Sequence, residues 1–181
     1  MTLVQQVARN GGQTISWAVQ RMNAIIGWIA QPSLTQFVLR IGLATPFWRS
    51  GINKWDGFLQ LNDVAVLLFG DEFKLHLPGG PYSFPAPEAT AFLVGSAEIL
   101  FPILLLLGLA TRFAASALLA MTVVVELTVP DGWPVHVTWA AMALAIMASG
   151  PGRLSLDHWI ERRNVPGLLC SRASLHRSAS A

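Results

Sequence analysis

At 181 residues, 53% hydrophobic and only 12% charged, with a mean hydropathy of +0.51, the chain is too apolar for an ordinary soluble domain. Its length suits about four bilayer spans of roughly 20 residues each. The net charge of +2 comes from a basic excess at the two ends, which fits cytoplasm-facing segments of a membrane protein better than a nucleic-acid surface. The lone cysteine, Cys170, excludes an intramolecular disulfide, a C-x-x-C redox pair and a cysteine cluster for zinc or iron–sulfur.

In chain order, residues 1–10 are polar, and the apolar stretch 24–30 is too short for a signal-peptide h-region, so none is expected. Residues 13–31 place Ile15, Ala18, Val19, Met22, Ile25, Ile26 and Ile29 at helical spacing, with Gln20, Arg21 and Asn23 on a more polar side. This predicts an amphipathic helix in the membrane interface, with Trp17 and Trp28 at headgroup depth. Packing on another protein surface is the alternative. Residues 1–33 thus form an N-terminal cytoplasmic segment, with a break at Pro32 before the first span.

The first span is expected over 34–59. Gly42, Thr45, Arg49, Asn53 and Asp56 recur three and four apart, a polar stripe expected to face a bundle interior, with a kink at Pro46. Residues 60–88 form an outer cap: a short amphipathic or re-entrant turn at 64–69, then a hairpin-like stretch turning at 78–81. The second span, 89–109, carries Gly95, Glu98 and Pro102 on one face. The third, 113–129, carries Thr122 and Glu126 at i, i+4. The fourth, 133–149, has His136 near its start and stops at Gly150. The membrane domain runs over 34–157, and residues 158–181 are a basic, Ser-rich cytoplasmic tail, surface-lying or disordered. Arg9, Arg21, Arg112, Arg153, Arg162, Arg163, Arg172 and Arg177 fall on one side, which makes both termini cytoplasmic and the 60–88 cap extracytoplasmic.

An ionised side chain in hydrocarbon costs about 3 kcal/mol on insertion scales unless it is paired or wet, so a polar site between packed spans is expected. With antiparallel neighbours rising about 1.5 Å per residue, Arg49 lies about ten residues in from the outer face and Glu98 about nine. They are expected to meet as a structural ion pair, with a ligand or proton role open beside it. Lys54, Asp56, Glu126 and His136 lie within one to two turns of their span ends and are expected to converge beneath the cap, with His76 above. Such a group could relay a proton, bind a quinone head group or hold a metal ion, although none has the spacing of a metal motif; a wet interfacial rim is the bland alternative. Arg40 is expected to snorkel to phosphates. Trp17, Trp28, Trp55, Trp133 and Trp159 suit an interfacial belt, whereas Trp48 and Trp139 lie deeper, for packing or for stacking on a flat ring. Ser155 or Asp157 is expected to cap a surface helix through Trp159 and Ile160. Cys170 is too isolated for a redox role without a partner protein.

Arg40-Ile-Gly-Leu with the later Gly51-Ile-Asn-Lys54-Trp, Glu98 ahead of LLLLGLATR (104–112), WPVH (133–136) with Trp139, and GPGRLSLD (150–157) stand in order across four spans. In this pattern the chain resembles, over about residues 34–160, the DoxX family of small four-span bacterial inner-membrane proteins. The resemblance implies an inner-membrane protein, some of whose relatives are linked to thiosulfate:quinone oxidoreduction, to membrane redox complexes or to operons for metal-binding ribosomal peptides.

The expected fold is an all-α membrane protein: an antiparallel four-helix transmembrane bundle with an N-terminal interfacial amphipathic helix. The implied function is a membrane subunit of a redox-linked or metal-stress-linked system, at most an oxidoreductase subunit, with a buried charged site for a quinone or small ligand. Candidate ligand or proton residues are Arg49, Lys54, Glu98, Glu126 and His136. No haem, flavin, nucleotide or metal motif is complete, and quinone is the one cofactor class left open. A small proton, metal or solute transporter and a non-catalytic scaffold stand as alternatives. The partners expected are the bilayer, membrane or redox proteins and a second copy of the chain, in a bacterial inner membrane.

Overall fold

The computed structural model describes Trp17 and residues 19–164, the last two by backbone alone. Residues 1–16 with Arg9, Ala18, and the tail from residue 165 with Cys170, Arg172 and Arg177 lie outside the described residues. The chain divides between Thr35 and Gln36 into two units. In the first, residues 19–29 form helix α1, whose Val19, Met22, Ile25, Ile26 and Ile29 are all exposed. The Arg21 guanidinium lies 5.5 Å from the centre of the Trp17 ring.

Helix α2, Pro32–Ile52, contains Pro46 and buries Gln36, Arg40, Leu43, Ala44, Phe47 and Gly51, a face of three- and four-residue spacing. This corrects the expected orientation. Gly42, Thr45, Arg49, Asn53 and Asp56 are all exposed. The apolar face outcompetes the polar stripe for burial, and Thr45 satisfies its own hydroxyl by donating to Ile41 O at 2.8 Å.

The helix also stops earlier than the expected span end at 59. Trp55–Gly57 (β1) and Gln60–Leu61 (β2) pair as a tight antiparallel hairpin, turning at Leu59 with φ 58°. Asn62 then caps α3, Asp63–Leu67, by accepting the Val64 N–H at 2.7 Å, and a π turn follows over Leu68–Glu72. Strands β3, Lys74–Leu77, and β4, Gly80–Ser83, form a second antiparallel hairpin, so the cap adds strand to an otherwise helical chain. Its turn needs positive φ at Gly79 and Gly80, which glycine adopts without steric cost. His76 Nδ1 sits 3.1 Å from Leu127 O, docking this hairpin on the next helices.

Helix α4, Pro87–Leu107, starts with Pro at N1 and buries Ala91, Gly95, Glu98, Pro102 and Leu105, so Gly95, Glu98 and Pro102 do share a face. It ends at Gly108 with φ 69°. Helix α5, Thr111–Thr128, follows at once, then a 3-10 turn at Pro130–Gly132 and helix α6, Trp133–Ser149. Helix α7, Leu156–Asn164, closes the described chain. Among the described helices α4 and α5 are long and apolar enough to cross a bilayer.

One apolar core joins α2, α4, α5 and α6. Leu43, Ala44, Phe47, Leu105, Ala114, Ala115, Leu118, Ala143 and Ile146 are each at most 2% exposed. Alanines in this core let helix backbones approach closely, the packing mode membrane helices favour. Leu105, Ala114 and Ile146 lie beside the Gly108 turn and the end of α6, so the core fills that end of the helices. Glu98, Thr122 and His136 are buried toward the other end, and Gln36, Arg40 and Thr111 at the Gly108 end.

Candidate functional site

Glu98 lies eleven residues from the start of α4, about 16 Å along its axis, and is 4% exposed. Gly51 brings α2 against the Glu98 backbone, and Ser50 and Lys54 flank that contact. Lys54 Nζ lies 2.5 Å from Glu98 Oε2 and donates to Ser50 Oγ at 2.8 Å, while Ser50 Oγ donates to Glu98 Oε1 at 3.2 Å. Both carboxylate oxygens are therefore satisfied by one closed triangle. The charge pair is shielded, with side chains 12% and 5% exposed.

The expected Arg49–Glu98 pair does not form. Depth alone placed those residues together, but rotation decides. Arg49 is two residues before Gly51, about 200° round the helix, and so lies on the exposed face. Lys54 reaches Glu98 from just beyond the helix end.

A cavity of about 210 Å³ opens on this triangle. Ser50, Lys54 and Glu98 form its polar wall, and Phe69, Phe73 and Phe84 face them from the cap. Phe69 meets Phe73 and Phe84 edge-on at 5.2 and 5.5 Å between ring centres. The chemistry available is a fixed ammonium donor beside a carboxylate in an apolar enclosure.

Glu126 and His136 form a second pair, with His136 Nδ1 2.7 Å from Glu126 Oε2. They join α5 to α6 and line a separate cleft of about 260 Å³. His136 is 8% exposed and packs on Trp139 at 5.0 Å, and Trp139 meets Phe47 at 5.4 Å. Trp139 thus packs the core, while Trp48 is 38% exposed. The expected single convergence of Lys54, Asp56, Glu126 and His136 is resolved into two pairs, since Asp56 turns out to Asn62 at 2.8 Å on the first hairpin. Trp55 packs edge-on against Phe92 at 5.3 Å. Among the described residues no three His, Cys, Asp or Glu side chains gather closely enough to hold a metal ion.

At the other end Arg40 does not snorkel. It is 1% exposed, its Nη2 donates to Leu154 O, and its guanidinium lies 5.6 Å from the Phe37 ring centre. Gly108 leaves the space the guanidinium needs. Asp157 caps a helix, but not its own: its carboxylate accepts Ala110 N–H at 2.8 Å, Thr111 N–H at 2.9 Å and the Thr111 hydroxyl at 2.8 Å, all at the start of α5. Ser155 serves α7, its Oγ accepting His158 N–H at 3.2 Å. Sequence reasoning missed Ser50 as a partner of Glu98 and Gly51 and Gly132 as contact points. Gly51, three residues before Lys54, and Gly132, four before His136, were the signal available.

Two apolar helices long enough to cross a bilayer, with an ion pair shielded where α2 packs on α4, are the features of a helical integral membrane protein. The DoxX family model matches residues 35–131, more than half of the chain, and the chain belongs to the DoxX family. That match takes in Lys54, Glu98 and Glu126 and ends before His136. The chain is similar to an uncharacterized protein of Haemophilus influenzae, 25% identical over 134 residues that cover 69% of this chain and 82% of that protein. No solved structure matches it.

Proposed function

We propose that the protein is a membrane subunit of a redox-linked or metal-stress-linked system, whose ligand, a quinone or another small molecule, binds against the Lys54–Glu98 pair. The observation that carries this is a buried ion pair opening on an aromatic-walled cavity of about 210 Å³. A buried pair adds little stability over apolar side chains of similar volume, so its presence inside helix packing argues for use. A dry cavity of about 150 Å³ already accepts benzene, so one quinone ring fits by volume. Phe69, Phe73 and Phe84 would flank the ring, and Lys54 and Ser50 would hold a carbonyl oxygen. When bound, a quinone supplies redox chemistry to the subunit.

In this proposal α2, α4, α5 and α6 are four antiparallel spans of a bacterial inner membrane, with α1 in the cytoplasmic interface and both termini cytoplasmic. The support is the Lys and Arg distribution, with Arg112 and Arg153 at one end and both hairpins at the other. A through-path for a transported solute is disfavoured by Leu43, Leu105, Ala114 and Ile146, all 0% exposed across the Arg112 end.

The test is tryptophan quenching by decyl-ubiquinone with the protein in lipid nanodiscs. Saturable quenching is expected, weakened at least tenfold by Glu98→Gln and by the cavity-filling Val125→Phe. No saturable quenching, or quenching indifferent to both changes, overturns the reading in favour of a scaffold. Loss of the protein in Glu98→Gln alone signals structure, and Val125→Phe then decides.

A further inference from the structure

We propose that the cleft between α5 and α6 is a second binding site, where His136 Nε2 takes the proton of a membrane-soluble ligand with a weakly acidic hydroxyl, such as a phenol. It stands apart from the Lys54–Glu98 site, because the two cavities share no lining residue.

The cleft has room and the right walls. At about 260 Å³ it exceeds the roughly 150 Å³ that admits benzene, so a substituted ring fits. Val123, Trp133 and Val137 make it apolar, and Glu126 and His136 are its ionisable lining residues. The Thr122 hydroxyl is committed to Leu118 O at 2.8 Å and does not compete for a ligand.

The imidazole is held for proton transfer. Glu126 on Nδ1 keeps the ring proton there, which leaves Nε2 as the acceptor, and the carboxylate stabilises the imidazolium once formed. Trp139 supports one face of the ring. Gly132 supports its edge: a Cβ there would fall 2.7 Å from Nε2, so only glycine lets the ring lie in this place. Nε2 is the ring's remaining polar atom. Among the described residues no hydrogen bond engages it, and it is not one of the sealed buried polar atoms.

The step balances without a redox partner. The ligand O–H bond breaks, its electron pair stays on oxygen, and the proton forms Nε2–H. The resulting phenolate pairs with the imidazolium, and Glu126 keeps its charge.

The experiment titrates the full-length protein in lipid nanodiscs with 4-nitrophenol, whose anion is coloured, at a pH where the free phenol is mostly neutral. 4-Nitroanisole, the same ring without the proton, is the control. Expected is a saturable phenolate band at least tenfold above that of empty nanodiscs, with no such response from the anisole. His136→Gln and Glu126→Gln should abolish the band. Val137→Phe should weaken binding at least tenfold by filling the cleft while leaving the pair intact. Gly132→Ala should reduce the band by displacing the ring. A band that survives His136→Gln, binding indifferent to Val137→Phe, or equal saturation by phenol and anisole overturns the proposal, as does no saturable binding. If Glu126→Gln fails to fold, Val137→Phe with the anisole control decides. None of these changes touches the Lys54–Glu98 cavity, so this failure and that of the quinone reading are distinguishable.

Discussion

Gly51 and Glu98 are in backbone contact, and this contact sets the distance between Lys54 and Glu98. A Cβ on Gly51 would lie 3.0 Å from the Glu98 carbonyl carbon and 3.0 Å from Ile99 Cγ1. Because one of these neighbours is backbone, α2 and α4 must move apart to admit a methyl group. Gly51→Ala should therefore cost about 1–3 kcal/mol and lower the thermal midpoint in detergent. An unchanged midpoint would show that the two helices are not in contact there.

Glu98→Gln leaves the Lys54 ammonium buried beside a neutral amide. Removing one member of a buried pair costs about 3–5 kcal/mol, whereas replacing both by apolar groups is close to neutral. Lys54→Met with Glu98→Leu should recover most of the stability lost by either single change. A double-mutant cycle measures the coupling. A value no larger than the roughly 1 kcal/mol of an exposed pair would contradict the shielding described.

Asp157 should behave as a helix cap for α5 although it lies 47 residues from Ala110. Asp157→Ala should cost about 1–2 kcal/mol, and Asp157→Asn less, since one acceptor oxygen survives. It should also loosen α7, seen as faster tryptic cleavage at Arg153 and Arg162. Equal cleavage rates in wild type and Asp157→Ala would count against the cap.

Gly108 and Ala110 should respond in opposite directions to exchange. Both have positive φ, 69° and 46°. Gly108→Ala meets the Arg40 guanidinium and Ser155 as well as the left-handed penalty, and should cost about 2–5 kcal/mol. Ala110→Gly relieves about 1–2 kcal/mol of left-handed strain against a smaller unfolded-chain entropy term, for a net gain of about 0.5–1 kcal/mol. Thermal unfolding of the two variants checks the signs.

Much of the helical framework was legible in local pattern. The apolar runs around Glu98 and Glu126 are long enough to cross hydrocarbon, and both residues sit on three- and four-residue faces that turn toward neighbours. Glu126 and His136 could be placed at similar depth because each lies near a helix end facing the same turn. The hairpin of Lys74–Leu77 and Gly80–Ser83 was visible as alternation around two glycines and two prolines. The hairpin at Trp55–Gly57 was not, since it continues the polar stripe of α2 without a glycine or proline break immediately before it.

The amino-acid order alone determined that this is an apolar helical chain with charges set inside its hydrophobic runs, because run length and residue spacing are properties of the linear chain itself. Which charges meet was decided only by tertiary structure. Each residue turns a helix by about 100°, so depth can be counted along the sequence but facing cannot. The rotation of α2 that buries Leu43, Phe47 and Gly51 turned Arg49 outward and left Glu98 to Lys54.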